Sequence, residues 1–280
     1  MKEMKEITWC PGCGNFIILS AIDEAVKNLK IAKKDIVFVS GIGQAAKLPH
    51  FIQPCNGFAS LHGRSIANAI GIKIANSKLK VLVSSGDGDL LAEGGNHLIH
   101  AIRRNISITC FLHDNQVYGL TKGQASPTMW PDQITKIQAE GIKSKPMDPL
   151  PMALTLGATF VARTCVTDKK QLVEIMEKAI NHEGFSLVQI LQTCPSFNKM
   201  RDVNWYKNNV EYLDEKYDKT NFENALLSSL TTKERKIKLG LFYENNRTPY
   251  EKQFSLLKEK TLVERTLDHK YNNEDLKKII

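Results

Sequence analysis

The chain has 280 residues, a formal net charge of +8 and 42% hydrophobic residues, enough for one large α/β domain or two small ones around a buried core. That apolar fraction excludes general disorder, and no apolar run approaches the roughly 20 residues that a membrane span needs. The basic excess is spread along the chain without a dense block of Lys, Arg and aromatics, so neither nucleic acid nor a membrane is expected as a partner.

The N-terminal MKEMKEITWCPGCG has no apolar signal core, which reads as cytoplasmic. Residues 15–29 space their apolar positions as a helix, and DIVFVSGIG reads as a buried strand ending in a glycine turn. A helix of small residues follows over 64–76, then KVLVSSGDGD as a second strand and turn. Residues 92–104 predict a helix, ISITCFLHDN a third strand, and YGLTKGQASPT a loop rich in turn formers. A Pro-rich connection at 146–151 leads to a short strand near 159–161, a helix over 169–181, and a last strand in FSLVQILQTC. Strands alternating with helices of this size imply an α/β fold, a parallel sheet with helices on both faces. Residues 1–195 form the expected core. Residues 196–280, polar and weakly periodic, form an irregular C-terminal extension packed on the core or on a partner.

Six cysteines in a chain of this kind do not suggest a disulfide scaffold. Cys110 and Cys165 lie in apolar runs and read as buried strand residues. Cys10, Cys13, Cys55 and Cys194 each adjoin Pro or Gly, where loops present ligands. The pair Cys10-Pro-Gly-Cys13 lacks the preceding strand of a thioredoxin-type redox motif, whereas a zinc or iron–sulfur site needs about four ligands.

Between Asp35 and Asp87 there is no acidic residue, while Lys47, Arg64, Lys73, Lys78 and Lys80 lie there with His50 and His62. Such a window suits a phosphate or carboxylate ligand, or else a core stretch with solvated lysines. Gly41-Ile42-Gly43-Gln44-Ala45-Ala46 fits the turn of a dinucleotide-binding fingerprint. The acid needed about 20 residues on is missing, and Pro49 interrupts the next helix, so a nicotinamide cofactor is not expected.

The most informative pair is Gly86-Asp87-Gly88-Asp89 at the end of one strand and Asp114-Asn115 at the end of the next. In a parallel sheet both ends open on the same edge. Asp87 offers a carboxylate oxygen and Asn115 an amide oxygen, hard donors suited to Mg²⁺ completed by diphosphate oxygens and water. The glycines allow close backbone approach to phosphates. The same residues also suit two plain Asx-rich turns.

These motifs carry a resemblance. WCPGCG at 9–14, LHGR at 61–64, GDGD at 86–89, GGNHLIHAIRRN at 94–105 and NQVYGLTKGQASPT at 115–128 resemble the β subunit of 2-oxoacid:ferredoxin oxidoreductases. The similarity spans roughly residues 7–200, and LGLFYENNRTPYEKQ is similar to the family's C-terminal segment. It implies thiamine diphosphate with Mg²⁺ on Asp87, Asn115 and the main-chain carbonyl of Val117. It further implies a cofactor lined by Gly43, Leu61, His62, Gly63, Arg64, Gly86, Gly88, Asp89, Gly119 and Leu120. His62 is the catalytic candidate, reaching the diphosphate or the reacting carbon, or else an ordinary core histidine. Lys47 falls at the substrate end, facing a distal carboxylate, or is a solvated lysine.

The family also holds a 4Fe–4S cluster on four cysteines. Cys10, Cys13 and Cys194 match three of them, but Gln44 stands where the family places another. An amide oxygen is a poor substitute for a thiolate. Gln44, Cys55 or an outside ligand could complete the set; alternatively the cluster has three irons or is lost. The implied reaction is the oxidative decarboxylation of a 2-oxoacid, 2-oxoglutarate or pyruvate, with coenzyme A taking the acyl group and ferredoxin the electrons. The glutamate that activates thiamine has no clear candidate here, so an α (or fused γα) chain is the expected partner. A non-redox thiamine decarboxylase subunit and a non-catalytic binding subunit remain as rivals.

Overall fold

The computed structural model describes residues 7–52, 55–131, 133–135, 137–232 and 235–265. The first periodic stretch folds as α1 (Asn15–Asn28), which buries Ile18, Ile22 and Val26 along one face. Strand β1 (Ile36–Ser40) follows, and its Gly turn leads only into a 3₁₀ turn and the four-residue α2 (Leu48–Phe51), with Pro49 in its first turn. An exposed edge strand, β2 (Asn56–Ala59), precedes α3 (Ser65–Ala75) and β3 (Lys80–Gly86).

The helix expected over 92–104 is divided. Gly88–Glu93 forms a π-helical turn, closed by the Gly94 N–H on the Asp89 carbonyl, and α4 (Gly95–Arg104) continues from it. Wide turns of this kind concentrate at functional sites. Strand β4 (Ile108–Asp114) is followed by a small hairpin, β5 (Val117–Tyr118) and β6 (Gln124–Ala125), inside the expected loop. The Pro-rich connection becomes α5 (Pro149–Thr155), because prolines in a first helical turn forfeit no hydrogen bond. The short strand is longer than expected, β7 (Phe160–Cys165). Helix α6 (Lys169–Asn181) is capped by Asp168, which accepts from the Gln171 N–H, and β8 (Ser186–Leu191) ends the core.

The extension is more regular than its sequence suggested. It contains α7 (Val203–Asn209), β9 (Val210–Tyr212), α8 (Phe222–Ser229), β10 (Ile237–Glu244) and α9 (Ser255–Glu259). The eight-stranded sheet runs β2-β1-β3-β4-β8-β7-β10-β9. All pairs from β2 to β7 are parallel; β10 joins β7 antiparallel, with β9 parallel to it. The extension therefore packs on the core by extending its sheet.

Alternate strand residues feed two cores. Phe38, Leu82, Phe111, Phe160 and Val188 meet α1 and α6 on one face. Val39, Val83, Leu112, Val161 and Leu187 meet α3, α4 and α5 on the other. Among the described residues no helix is long and apolar enough to cross a membrane.

Candidate active site

Three turns leave the same sheet edge: residues 41–45 after β1, 86–89 after β3 and 115–121 after β4. They enclose a cavity of about 300 Å³. It lies between β1 and β3, where the strand order reverses and where open α/β sheets bind ligands.

Asp87 is fully buried at the cavity floor. Its Oδ2 accepts from the Gln116 N–H (2.9 Å), the Ser126 hydroxyl (2.5 Å) and the Thr128 hydroxyl (2.8 Å). Gln116 takes a left-handed conformation (φ 66°), which turns its N–H onto this oxygen. Thr128 also reaches the Asp114 Oδ1 (2.7 Å), so one hydroxyl stands between two buried carboxylates. Burial, then the neighbouring Asp114, pushes the Asp87 carboxyl up to about 8. Burial raises Asp114 as well, although Gln189 donates to its Oδ2 (2.6 Å) and the buried Arg163 holds Gln189 from behind (2.7 Å). Among the described residues no Lys or Arg forms an ion pair with Asp87.

Asn115 and Val117 line the same cavity, the Asn115 Oδ1 accepting from the Val117 N–H (2.9 Å). Gly88 is the close approach: a Cβ there would run into the Tyr118 ring, which packs across it. Asp89 lines the cavity too, and its carboxylate has a second task. Its side chain, 3% exposed, accepts from the Gly63 N–H (2.7 Å), the Ile42 N–H (3.1 Å) and the Ser85 hydroxyl. It clamps the β1 turn and the LHGR turn together.

His62 lines the cavity mouth. Its Nδ1 lies 3.4 Å from a Glu93 carboxylate oxygen, its Nε2 lies 3.9 Å from Asp89, and its ring stacks on Tyr118 at 6.4 Å. The Tyr118 hydroxyl also donates to Glu93 (3.3 Å). The rest of LHGR faces elsewhere: Leu61 is exposed, Gly63 is buried against the Glu93 backbone, and Arg64 meets His97 (2.6 Å). Gly43, Gly86, Gly119 and Leu120 line the cavity as expected. Lys47 does not; its ammonium donates to the Thr8 hydroxyl (3.2 Å).

His113 forms the back wall. Burial pushes its imidazole down to about 3, so it is neutral. The Ser84 hydroxyl, which donates to the Ala45 carbonyl (2.9 Å), lies 3.1 Å from His113 Nε2, and the Asn15 Oδ1 lies 2.9 Å from Nδ1. The wall of the cavity is thereby tied to the start of α1, two residues beyond Cys13.

Cys10, Cys13 and Cys194 are brought together. The Cys13 N–H closes a turn on the Cys10 carbonyl (3.0 Å), and the Gly14 N–H bonds the carbonyl of Thr193, beside Cys194 (3.3 Å). Burial pushes the Cys13 thiol up to about 11, with Cys194 and Cys10 adding to it. Among the described residues no three His, Cys, Asp or Glu side chains stand in metal-binding geometry, so the three are neighbours and not a closed cage. Cys55 is not with them; its charged neighbours are Lys33 and Asp23. The Gln44 carbonyl receives the Trp9 indole N–H (2.9 Å). Its side chain lies beside Gly119 in the cavity wall, with the amide oxygen buried and unpartnered.

Residues 39–190 match the family described as thiamine pyrophosphate enzyme, C-terminal TPP binding domain. Residues 194–259 match the family of the C-terminal part of the pyruvate ferredoxin oxidoreductase beta subunit. The 2-oxoacid:ferredoxin oxidoreductase subunit beta of Saccharolobus solfataricus is 43% identical, over 85% of this chain and 81% of the relative. The chain belongs to the β subunits of the 2-oxoacid:ferredoxin oxidoreductases. The subunit KorB of a 2-oxoglutarate oxidoreductase of Mycobacterium tuberculosis is 46% identical, over 69% of this chain and 52% of that relative. A solved 2-oxoglutarate:ferredoxin oxidoreductase from Magnetococcus marinus, with 2-oxoglutarate, coenzyme A and succinyl-CoA bound, superposes with a TM-score of 0.90. It is 34% identical and covers 98% of this chain and 92% of its own.

The cavity of this β subunit suits a divalent cation and a diphosphate. A buried carboxylate without a facing cation is costly, and a divalent cation beside Asp87 would remove that cost. The thiolate set for a cluster is incomplete among the described residues, with three cysteines and no fourth beside them. Tyr118, Glu93, Ser126, Thr128 and His113 were not singled out by their sequence context. Ser126, Thr128 and Tyr118 lay in a quoted motif, but none of these residue types announces a role on its own.

Proposed function

We propose that this chain is the cofactor-holding β subunit of a 2-oxoacid:ferredoxin oxidoreductase, converting a 2-oxoacid and coenzyme A to acyl-CoA and CO₂ while two electrons pass to ferredoxin. The observation that carries the reading is the meeting of Asp87, Asn115 and Val117 at the ends of adjacent parallel strands around one cavity. Asp87, Asn115 and the Val117 carbonyl would hold Mg²⁺, an O-donor set of the kind this ion takes. Thiamine diphosphate, when bound, supplies a nucleophilic carbon and an electron sink.

The chain's own groups do the remaining work. Gly43, Gly86, Gly88 and Gly119 admit the diphosphate to the backbone. Ser126, Thr128 and the Gln116 N–H fix the Asp87 carboxylate. Glu93 orients His62 through Nδ1, which leaves Nε2 for a polar group in the cavity. Ile42 and Leu120 line the cavity yet stay exposed. An apolar rim of this kind suits a second subunit that seals the site, and an α (or γα) chain is the partner of this reading.

Cys10, Cys13 and Cys194 would give three thiolates to an iron–sulfur cluster, the remaining ligand coming from outside the trio. Cys13→Ser is expected to abolish the iron and the EPR signal of the reduced, anaerobically purified complex. Cys55→Ser is expected to leave both unchanged, and iron lost from Cys55→Ser would reinstate it as a ligand.

Substrate choice follows from Lys47. Lys47 stands outside the cavity on Thr8, and a swing of its ammonium into the cavity would pair it with the distal carboxylate of a dicarboxylic 2-oxoacid, which would favour 2-oxoglutarate over pyruvate. In Lys47→Ala the KM for 2-oxoglutarate is expected to rise about two- to fivefold, the loss of one screened charge pair worth up to about 1 kcal/mol, with that for pyruvate unchanged. Equal effects on both would remove Lys47 from the specificity argument. The overall test is anaerobic turnover of the assembled complex. Ferredoxin reduction that needs thiamine diphosphate, coenzyme A and a 2-oxoacid is the expected result. Thiamine-dependent CO₂ release without ferredoxin reduction would favour the non-redox decarboxylase.

A further inference from the structure

The acid-free window of the sequence is divided by the fold. Lys47 and Arg64 lie at the cofactor edge of the sheet, but Lys73, Lys78 and Lys80 lie at the opposite edge. There they line a second, larger cavity of about 580 Å³, together with Lys252 and His182. Its floor is the start of β3 and β4, the two strands whose far ends carry Asp87 and Asn115.

The lining holds four ammonium groups against two carboxylates, Glu183 and Glu251. Glu183 pairs with Lys252 (2.6 Å), and Lys78 reaches Glu264 (2.5 Å). Buried Glu251 accepts the Ser107 N–H (3.4 Å). Lys73 and Lys80 have no ion pair among the described residues. Lys73 gives two N–H groups to the carbonyls of Ser77 (2.7 Å) and Leu79 (2.8 Å), and Lys80 gives one to Ile180 (2.9 Å). Carbonyls orient an ammonium without neutralising it. Each ammonium carries three donors, so three N–H groups remain between these two side chains. Burial, with Lys80 and Lys252 facing it and Glu251 opposing, pushes Lys73 down to about 8; burial lowers Lys80 too. Val81, Leu82 and Ile180 line it from positions buried in the two cores, and Leu257 adds a half-buried apolar side chain.

We propose that this cavity is a binding site for a small organic phosphate, its dianionic head between Lys73 and Lys80 and its carbon body against Leu257. A tetrahedral dianion accepts from several ammonium groups at once and supplies the charge that the carbonyls lack. The site is separate from the cofactor cavity, and the inference does not depend on the reaction assigned there.

The test is calorimetric titration of the assembled complex, saturated with Mg²⁺ and thiamine diphosphate so that the cofactor site is closed to the probe. Glycerol 3-phosphate is titrated at constant ionic strength. The expected result is one saturable site per chain, weakened about tenfold or more in Lys80→Gln, equivalent to about 1.4 kcal/mol. Lys80→Gln lies away from the catalytic machinery, and its turnover is expected to match the parent, which also reports that it folds. Lys252→Ala, at the rim, is expected to weaken the probe less. No saturable binding, or binding unaffected by Lys80→Gln, would overturn the site. Glutarate bound as tightly as glycerol 3-phosphate would overturn the choice of phosphate.

Discussion

Asp87→Asn is expected to lower turnover of the assembled complex by on the order of 10³-fold, the scale of losing a principal electrostatic group in an active site. The substitution keeps the side-chain shape. Its amide oxygen can still accept from Ser126, Thr128 and the Gln116 N–H. The other oxygen becomes an NH₂, which repels a cation instead of binding it. Mg²⁺ affinity should fall by about 100-fold or more, since even residues one step removed from a metal cost 10–100-fold. The unliganded chain should fold at least as well, because the mutation removes a carboxyl whose ionisation burial already opposes. Titration of Mn²⁺ by EPR with thiamine diphosphate present measures the affinity, and melting of the unliganded chain measures the fold. Undiminished Mn²⁺ binding would remove Asp87 from the metal site.

Asp89→Ala should show the opposite pattern, a loss of stability before any loss of chemistry. Its buried carboxylate is the acceptor for Gly63, Ile42 and Ser85, and truncation leaves these donors unpaired. At about 1–3 kcal/mol for each buried donor left without a partner, the expected cost is about 3 kcal/mol, a fall in melting midpoint of roughly 5–10 °C. Releasing the β1 turn from the LHGR turn also opens the cavity mouth, so the concentration of thiamine diphosphate for half-maximal activity should rise. Asp89→Asn, which keeps an acceptor, should cost less. Scanning calorimetry of the two variants separates the clamp from a direct cofactor contact: equal stability with weakened cofactor binding would restore the latter.

The two aspartates explain why the site was only partly legible. Both stand in one GDGD motif at a strand end, and spacing alone gave them a common neighbourhood. Their division of labour depends on partners 26 to 47 residues away in sequence, including Gly63, Ile42 and Thr128. Only the folded backbone brings these together. Asn115, Val117 and Gly88 were legible because parallel strands bring consecutive strand ends to one edge. Lys47 lies just beyond the β1 turn, yet its partner is Thr8, from a segment with no periodicity.

Most of the sheet was written in plain apolar runs. The exceptions have local causes. Strand β10 carries a bulge between Leu241 and Tyr243 that breaks its two-residue period, and Gly240 adds a positive φ beside it. Strand β2 is exposed and has no apolar pattern to read. The buried chain from Asp114 through Gln189 and Arg163 to Asp148 and Thr231 is likewise long-range. It joins the cofactor end of β4 to the extension, and an arginine in mid-strand gave no sign of that task.

The central claim, that the cavity between β1 and β3 holds Mg²⁺ and thiamine diphosphate on Asp87, Asn115 and Val117, is tested most directly by anomalous diffraction. Crystals of the assembled complex with thiamine diphosphate and Mn²⁺ in place of Mg²⁺ would serve. The predicted result is one Mn²⁺ peak about 2.0–2.3 Å from the Asp87 carboxylate, the Asn115 amide oxygen and the Val117 carbonyl, with the diphosphate against Gly88. A peak elsewhere, or a diphosphate bound away from the 86–89 turn, would contradict it.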